Sequence, residues 1–407
     1  MSEHRILRLG HQGDGIADGP VYAPLTLPGE LVSGVRDGTR LTDLRIVTSS
    51  PDRVAPPCRH FKSCGGCRLQ HGSDRFVADW KMGVLRNALT AQGLEAEFLP
   101  IATSPGQSRR RATFAARRGK KGAMTGFHAR ASDTVIDIPD CQLLHPDLLA
   151  ARPVCDALAM IGASRKQALD VAVTLSGAGL DVTVSQGKPL DGPLRLALAG
   201  LAEQYDLARL AWGDETVVTR RAPVQRMGRV QMVPPPGAFL QATEAGQAAL
   251  LEDVARITRG ARRIVDLFAG CGTFALPLAE AAEIHAVEGD PAMVKALDAG
   301  WRLGQGLKRV TTEARDLFRR PLLPDELRGF DAAVIDPPRA GAEAQVAELA
   351  RARVPVIAYV SCNPVTFARD ARQLVDAGYG LGQVRVVDQF RWSPHIELVA
   401  GFVVNSG

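Results

Sequence analysis

The second half of the chain alternates between short apolar segments and segments with a helical pattern. The apolar segments read RRIVDLF, IHAVE, DAAVID and VPVIAYV, and a helix-like stretch follows each one. Repeated strand–helix units predict a Rossmann-like, doubly wound α/β sheet, which binds its ligand at the carboxyl ends of the strands. The triple proline at 234–236 marks the predicted start of this domain, which then covers residues 234–407.

Two smaller regions precede the predicted α/β domain. Between residues 4 and 50, short apolar segments alternate with glycine-rich turns, which predicts a small all-β module over residues 1–52. Residues 53–233 are predicted to form a central α+β domain. It contains a helix around 74–92 and a hairpin in which the turn SGAG joins VAVTL to LDVTVS.

Length and composition exclude some classes of protein. The chain has 407 residues with 46% hydrophobic content, enough to fill two or three domains. No apolar stretch reaches the roughly 18 residues of a membrane span, and the N-terminus lacks the pattern of a signal peptide. We therefore expect a cytoplasmic protein with no membrane association, and a monomer.

Positive charge is concentrated in one part of the central region. Net charge is only +5, but no acidic residue occurs from Phe98 to Ser132. The basic side chains in this segment are Arg109, Arg110, Arg111, Arg117, Arg118, Lys120, Lys121 and Arg130. Such a cluster suits phosphate oxygens, so we predict that its arginines, Arg109 to Arg111 with Arg117 and Arg118, bind the phosphates of a nucleic acid. The alternative is a solvated basic face.

Four of the seven cysteines suggest a metal centre. In CRHFKSCGGC, glycines allow Cys58, Cys64 and Cys67 to converge on one point, and exclusion makes Cys141 the fourth ligand. An odd number of cysteines without an export signal argues against disulfides. Four thiolates suit either zinc or an iron–sulfur cluster; three ligands in one loop favour the cluster, of the 4Fe–4S type. Cys155 is predicted to pack in the core.

The first strand–helix unit, IVDLFAGCGTFALPLA, carries a predicted cofactor site. Gly270 and Gly272 in the turn permit close approach of a ligand to the backbone. GCGTFA also satisfies the dinucleotide pattern, so NAD is an alternative. Asp266 can meet the amino group of S-adenosylmethionine (SAM), and Glu288 can accept its ribose hydroxyls, although Glu288 suits NAD equally. The chemistry downstream favours SAM. Cys271, inside the turn, has no predicted role.

A cysteine ends the fourth strand of the pattern, in VSCNP. Asn363 can cap the following helix and Pro364 suits its first turn, so Cys362 is predicted to lie against a helix N-terminus. The free amides there favour thiolate, which predicts a lowered pKa and a nucleophile. The alternative is a small buried side chain at a strand end.

A nucleophile beside a methyl donor predicts methylation of carbon. C5 of a pyrimidine is a poor nucleophile until a thiolate adds at C6, and the adduct must then lose its C5 proton to a general base. The segment SPHIELVAGF offers His395 and Glu397, which alternate onto the same face of a predicted strand. The spacing does not choose between them.

These motifs together resemble the RNA uracil-C5 methyltransferases, which form 5-methyluridine in ribosomal and transfer RNA. In chain order, GVRDG and LPGELV are similar to the TRAM module, an OB-like RNA-binding barrel, and CRHFKSCGGC with Cys141 resembles the iron–sulfur loop of the ribosomal RNA enzymes. AFLQAT, DLFAGCGTF, VEGD, DPPR, SCNP and HIELV resemble the methyltransferase motifs.

The resemblance implies roles for individual residues. Cys362 would be the nucleophile, Glu397 the base and Asp336 the group that holds the uracil edge. Gln241, Glu288 and Asp316 would contact SAM. The implied substrate is RNA, with ribosomal RNA favoured over transfer RNA. The alternatives are a cytosine-C5 enzyme, which would carry a cysteine in the DPPR motif, and a non-catalytic RNA-binding iron–sulfur protein.

Overall fold

The N-terminal region of the computed structural model, which describes residues 2–405, is a closed five-stranded barrel. Its strands are β1 Ser2–Leu9, β2 Gly15–Ala17, β3 Val21–Ala23, β4 Leu31–Asp37 and β5 Arg40–Thr48, in the order β1-β2-β3-β5-β4. Ile6, Val21, Val32 and Leu41 fill the interior. A Cβ atom on Gly15 would come within 2.1 Å of Thr26 Oγ1, so glycine is needed where the chain closes. The predicted all-β module is confirmed.

The central region is built on a seven-stranded sheet. Its elements are α1 Asp74–Ala91, β6 Ala102–Thr103, β7 Arg111–Arg118, β8 Ala123–His128, β9 Val135–Asp137, α2 Pro146–Leu149, α3 Arg152–Gly162, β10 Leu169–Ser176, β11 Gly179–Ser185, α4 Gly192–Gln204, β12 Arg209–Trp212, β13 Glu215–Thr219, β14 Gln225–Met227 and β15 Val230–Met232. The sheet order is β13-β12-β11-β10-β7-β8-β9. The predicted hairpin is present as antiparallel β10 and β11, and the predicted helix as α1.

The C-terminal region contains an eight-stranded sheet covered by helices. Its elements are α5 Glu244–Ile257, β16 Arg263–Leu267, α6 Ala275–Leu278, β17 Glu283–Glu288, α7 Pro291–Leu303, β18 Val310–Ala314, α8 Pro324–Leu327, β19 Ala332–Ile335, α9 Glu343–Ala352, β20 Val356–Ser361, α10 Pro364–Asp376, β21 Tyr379–Asp388 and β22 Glu397–Val404. The order is β18-β17-β16-β19-β20-β22-β21-β6. The first five strands are parallel, which confirms the predicted α/β sheet.

The order of the strands in the eight-stranded sheet indicates where a ligand site is expected. The chain runs outward from β16 to β17 and β18 and then returns to β19 on the other side, so the order reverses between β16 and β19. Ligands of open α/β sheets bind at such a reversal, beyond the carboxyl ends of the strands. The antiparallel strand β22 pairs with β20, with Ser361 opposite Leu398. This pairing brings the start of β22 to the carboxyl end of β20.

Part of the chain before residue 234 packs on the eight-stranded sheet of the C-terminal region. β6 pairs in parallel with β21, and Leu85 and Leu89 of α1 are buried in the same core as Phe367 and Leu374 of α10. Helix α1 begins with Ser73 as its N-cap, whose side chain accepts a hydrogen bond from the Phe76 amide.

Among the helices of residues 2–405, none combines the length and apolarity needed to cross a bilayer.

Candidate active site

The glycine turn after β16 forms one side of the candidate site. Gly270 and Gly272 have φ angles of 55° and 90°, in the left-handed region that glycine adopts without strain. Asp266, on β16, is fully buried, and neither of its carboxylate oxygens has a hydrogen-bond partner within residues 2–405. Burial, followed by the neighbouring Asp336 carboxyl, raises the pKa of Asp266 well above its usual range. A buried carboxyl without a partner is costly unless a ligand supplies one.

The expected cofactor contacts lie on successive strand ends around this turn. Glu288 ends β17, and its carboxylate accepts hydrogen bonds from the amides of Gly270 at 3.0 Å and Asp290 at 2.9 Å. Asp316 follows β18, and its Oδ1 accepts from the Phe318 amide. Gln241 is buried ahead of α5. The structure therefore brings Asp266 and Glu288 together at the turn and places Asp316 one strand further out.

Cys362 lies where β20 passes into α10, as the sequence predicts. Asn363 is the N-cap of α10, its Oδ1 accepts a hydrogen bond from the Val365 amide at 3.1 Å, and Pro364 is the first helical residue. The Asn363 side-chain amide also donates to the Arg339 carbonyl at 2.8 Å, which joins this turn to the DPPR segment. The thiol is half-buried at the carboxyl edge of the sheet.

The predicted low pKa of Cys362 is wrong. Burial, with the Glu397 and Asp336 carboxyls next in effect, raises the pKa of the thiol to about 11, and Arg339 opposes them. The prediction considered only the helix that follows the cysteine, whereas the carboxyls arrive from two other strands. With this pKa, Cys362 is mainly a neutral thiol near pH 7.

The structure separates the two candidate bases. Glu397 is 4% exposed at the start of β22 and close enough to Cys362 to affect its pKa, whereas His395 is exposed before the strand begins, with Nδ1 3.4 Å from an Arg339 nitrogen. Burial and then Asp336 raise the pKa of Glu397 well above its usual range. Burial also raises the pKa of Asp336 to about 7. Of the two candidate bases, Glu397 is therefore the one that lies beside the thiol.

Two residues that the sequence analysis missed support this site. Gln389, which is 1% exposed, donates from Nε2 to Gln241 Oε1 at 2.5 Å. Lys81 of α1 is fully buried and donates to Asp388 Oδ1 at 2.6 Å. Both acceptors are distant in sequence from their donors. The sequence offered one sign of these contacts: two polar residues, Asp388 and Gln389, stand at the end of the otherwise apolar strand β21.

The arginine run does not form one solvent-facing cluster. Arg110 is buried; its Nε donates to the Gln241 carbonyl at 3.2 Å and an NH2 group to Gln247 Oε1 at 2.6 Å. Arg111 donates to the Leu240 carbonyl at 2.7 Å. For Arg110 the predicted phosphate contact is wrong, because its guanidinium joins the central sheet to the segment before α5. Arg109 is largely enclosed beside Phe390.

Four of the five remaining basic residues lie at the exposed end of the hairpin formed by β7 and β8; Arg130 instead donates to the carbonyls of Phe61 and Cys67. Arg117 and Arg118 end β7, and Lys120 and Lys121 are exposed in the turn that follows. Arg117 donates to the backbone carbonyls of Asp133 and Lys166. We call these four residues the basic hairpin tip.

The four predicted ligand cysteines converge in the central region. Cys64, Cys67 and Cys141 are buried in one core, and Cys58 affects the pKa of all three thiols. Burial raises the pKa of Cys67 to about 12. Within residues 2–405, however, no group of three or more His, Cys, Asp or Glu side chains has the arrangement of a metal site. Cys155 is buried in α3, in agreement with its predicted core position, and Cys271 is buried in the turn.

The fold and the strand-end residues define a SAM methyltransferase domain preceded by a barrel and a second sheet. The solved structure of Pyrococcus abyssi tRNA (uracil-54, C5)-methyltransferase with S-adenosyl-L-homocysteine matches 98% of this chain and 99% of its own, with a TM-score of 0.76 and 23% identity. The family model for tRNA (uracil-5-)-methyltransferase matches residues 307–405.

Curated relatives cover nearly the whole chain. An uncharacterized RNA methyltransferase of Mesorhizobium japonicum is 44% identical over 97% of this chain and 96% of the relative. The 23S rRNA (uracil(1939)-C(5))-methyltransferase RlmD of Chromohalobacter salexigens is 34% identical over 96% of this chain and 87% of the relative. The chain belongs to the RNA uracil-C5 methyltransferase family.

Proposed function

We propose that this protein methylates C5 of a uridine in RNA, with SAM as methyl donor. The observation that carries the proposal is the convergence of Cys362, Glu397 and Asp336 at the carboxyl edge of the sheet, next to Asp266 of β16 and the glycine turn that follows it. The members of this group come from three different strands. A thiol and a carboxyl in one pocket are the nucleophile and base that carbon methylation of a pyrimidine requires.

The charge of the pocket favours SAM over a dinucleotide. Three carboxyl groups, those of Asp266, Asp336 and Glu397, lie in this region; Asp336 raises the pKa of the other two, and Asp266 has no hydrogen-bond partner among the described residues. The amino group and sulfonium of SAM are positive, whereas the pyrophosphate of a dinucleotide is negative and would be repelled. We assign Asp266 to the amino group, Glu288 to the ribose, and Asp316 and Gln241 to further contacts.

Each catalytic side chain has one role in the proposed reaction. The Cys362 thiol loses its proton to solvent, its sulfur bonds to C6, and the electrons of the C5–C6 double bond become available at C5. SAM, when bound, supplies the electrophilic methyl group. Asp336 holds the uracil edge. Glu397 then takes the C5 proton, the double bond re-forms and the sulfur leaves with its electron pair. Every bond made to the protein is broken again.

The choice of ribosomal over transfer RNA as the substrate rests on the similar proteins. The RlmD relative acts on 23S ribosomal RNA by name and is 34% identical, whereas the tRNA enzyme with the similar fold is 23% identical. We therefore favour ribosomal RNA. The N-terminal barrel has the strand arrangement expected of an RNA-binding module, and we propose that it contributes to binding of the same RNA.

The experiment that tests this function uses purified protein with SAM carrying a labelled methyl group. Transcripts of 23S ribosomal RNA and of transfer RNA are offered separately, and the RNA is digested to nucleosides. Labelled 5-methyluridine in ribosomal RNA supports the whole proposal; in transfer RNA it supports the chemistry and overturns the choice of substrate. Labelled 5-methylcytidine contradicts the proposed base specificity.

The basic hairpin tip is proposed to contact the RNA backbone. Changing both Arg118 and Lys120 to Gln should remove two phosphate contacts, weaken RNA binding and reduce the slope of log K against log salt concentration by about 1 to 2. Titration at several salt concentrations measures this slope. As a control, Arg328→Gln removes a side chain that is 82% exposed elsewhere. A slope equal to that of the control would contradict the proposed contact.

We also propose that the four cysteines hold a 4Fe–4S cluster with a structural role. Four thiols converge, the Gly66 amide donates to Cys64 Sγ at 3.4 Å, and the guanidinium groups of Arg109 and Arg130 lie within electrostatic range. Amide donors and nearby cations suit the negative charge of a thiolate-bound cluster. Methyl transfer has no redox step, so the cluster would stabilise the fold of the central region.

Anaerobically purified protein should therefore be coloured and contain about four iron atoms per chain. Cys64→Ser should lose most of the iron and the visible absorbance, because it removes a ligand. Cys155→Ser, in the buried face of α3, should retain both. Elemental analysis measures the metal. Bound zinc in a colourless wild-type protein would contradict the cluster and favour a zinc site.

A further inference from the structure

Gln389 occupies a buried position between the cofactor side of the site and the base. It is the residue directly after β21, and only 1% of its surface is exposed. Asp388 before it is held by Lys81, so the backbone at this point is fixed by a buried ion pair. Neither the proposed reaction nor the family motifs identified in the sequence assign a role to Gln389.

The hydrogen bonds of Gln389 fix which way its amide points. Its Oε1 accepts a hydrogen bond from the Ala242 amide at 2.8 Å. An amide N–H can donate only to the oxygen, so Nε2 must lie on the other side. Nε2 donates to Gln241 Oε1 at 2.5 Å. Val387, two residues earlier on β21, lies opposite Glu397 on β22, so Gln389 and Glu397 are diagonal neighbours on the same face of this strand pair. One N–H group of Nε2 is used by Gln241, and the second can serve the neighbouring Glu397 carboxylate.

Packing leaves the Gln389 side chain little freedom. A Cβ atom on Gly246, in the first turn of α5, would come within 2.6 Å of Gln389 Cβ and 3.2 Å of its Oε1. Thr243 caps the same helix by accepting from the Gly246 amide. The aliphatic part of Gln389 therefore lies directly against the helix N-terminus. A side chain held on both its apolar and polar parts is pre-organised.

We infer that Gln389 is a positioning residue whose second Nε2 N–H favours the carboxylate form of Glu397 and directs it at the substrate, while the same amide fixes Gln241. This inference rests on the proposed function. Glu397 faces Asp336 from the end of β19, Cys362 from the end of β20 and Arg339 from the DPPR segment. Burial and Asp336 disfavour its carboxylate form, whereas an N–H donor favours it. Only the carboxylate can take the C5 proton.

Loss of this donor should slow one step of the reaction. Gln389→Met keeps the length of the side chain and removes both N–H groups. Glu397 would then be protonated to a higher pH, and proton removal from C5 would become the slow step. We expect turnover at neutral pH to fall about 10-fold or more, and the acid side of the pH–rate profile to move up by about one pH unit. RNA already methylated should accumulate in covalent linkage to Cys362.

The test compares wild type, Gln389→Met and a matched control. Gln383→Leu removes another glutamine of β21, whose Nε2 donates to Glu97 at 2.9 Å, far along the strand. Each protein is assayed from pH 6 to pH 9 on unmodified RNA, and adducts are detected on denaturing gels. A shifted profile with an adduct in Gln389→Met, and neither change in Gln383→Leu, supports the inference.

Other outcomes overturn it. An equal loss of turnover at every pH, without adduct, would show that Gln389 is a packing residue. If Gln389→Met fails to fold, Gln389→Glu keeps the bond to Ala242 and places a second carboxyl against Glu397, so it should shift the profile further. An unshifted profile there also contradicts the inference. Failure of the wild-type protein to form 5-methyluridine would instead contradict the proposed function.

Discussion

Replacing Cys362 with alanine should abolish covalent capture of RNA that contains 5-fluorouridine. Fluorine at C5 cannot be removed by a base as a proton is, so the adduct between the Cys362 sulfur and C6 would persist in wild type after methylation. Without the sulfur no adduct can form, and methylation should fall about 10⁴-fold or more, as expected for loss of a catalytic nucleophile. Denaturing gels with labelled RNA and SAM measure capture, and nucleoside analysis measures methylation.

The controls separate loss of the nucleophile from loss of the fold. Cys155→Ala removes another buried sulfur, in α3 of the central region, and should retain capture and methylation. Cys362→Ala should still bind SAM, because the assigned SAM contacts lie on the neighbouring strand ends. Capture of 5-fluorouridine RNA by Cys362→Ala would contradict the assignment of the nucleophile. Absence of capture by the wild type would contradict covalent catalysis altogether.

Local features of the active site could be predicted from the sequence because they depend on adjacent residues. Asn363 and Pro364 shape the start of α10 through their own side chains, and Gly270 and Gly272 permit the cofactor turn. The alternation of strands and helices is also a local pattern, and it predicted the parallel strands. Each of these features is encoded within about one turn or one strand of the chain.

Electrostatic properties could not be predicted, because they arise between distant segments. The pKa of Cys362 is raised partly by Asp336 and Glu397, which reach the thiol only when β19, β20 and β22 lie side by side. Arg110 belongs to a basic run, yet the fold turns its guanidinium toward the segment before α5. The pattern of charged residues in a sequence shows the sign of a segment's net charge. It does not report which side chains become buried.

The choice between His395 and Glu397 illustrates the same limit. Both were expected on one face of a strand, but β22 begins only at Glu397, and His395 lies in the connection before it. This connection, residues 389–396, is held by Lys81: besides Asp388, its Nζ donates to the carbonyls of Phe390 at 3.3 Å and His395 at 3.0 Å. The position of the base therefore depends on a side chain more than three hundred residues earlier in the chain.

Replacing Lys81 with methionine should destabilise the protein by about 3–5 kcal/mol, because it leaves the Asp388 carboxyl buried without its cation. The Lys81 and Asp388 side chains are 0% and 2% exposed, so solvent cannot compensate. Denaturant unfolding followed by circular dichroism measures the change. Arg75→Met, on the same helix with a side chain that is 92% exposed, should change stability by less than about 0.5 kcal/mol.

A second substitution distinguishes the buried charge from lost packing. Adding Asp388→Leu to Lys81→Met removes the unpaired carboxyl and should restore much of the stability, since an apolar pair can replace a buried ion pair at little cost. Methylation should nevertheless stay low in the double variant, because leucine and methionine cannot bind the carbonyls of Phe390 and His395 that position the segment before Glu397. Recovery of activity together with stability would show that the ion pair has no positioning role.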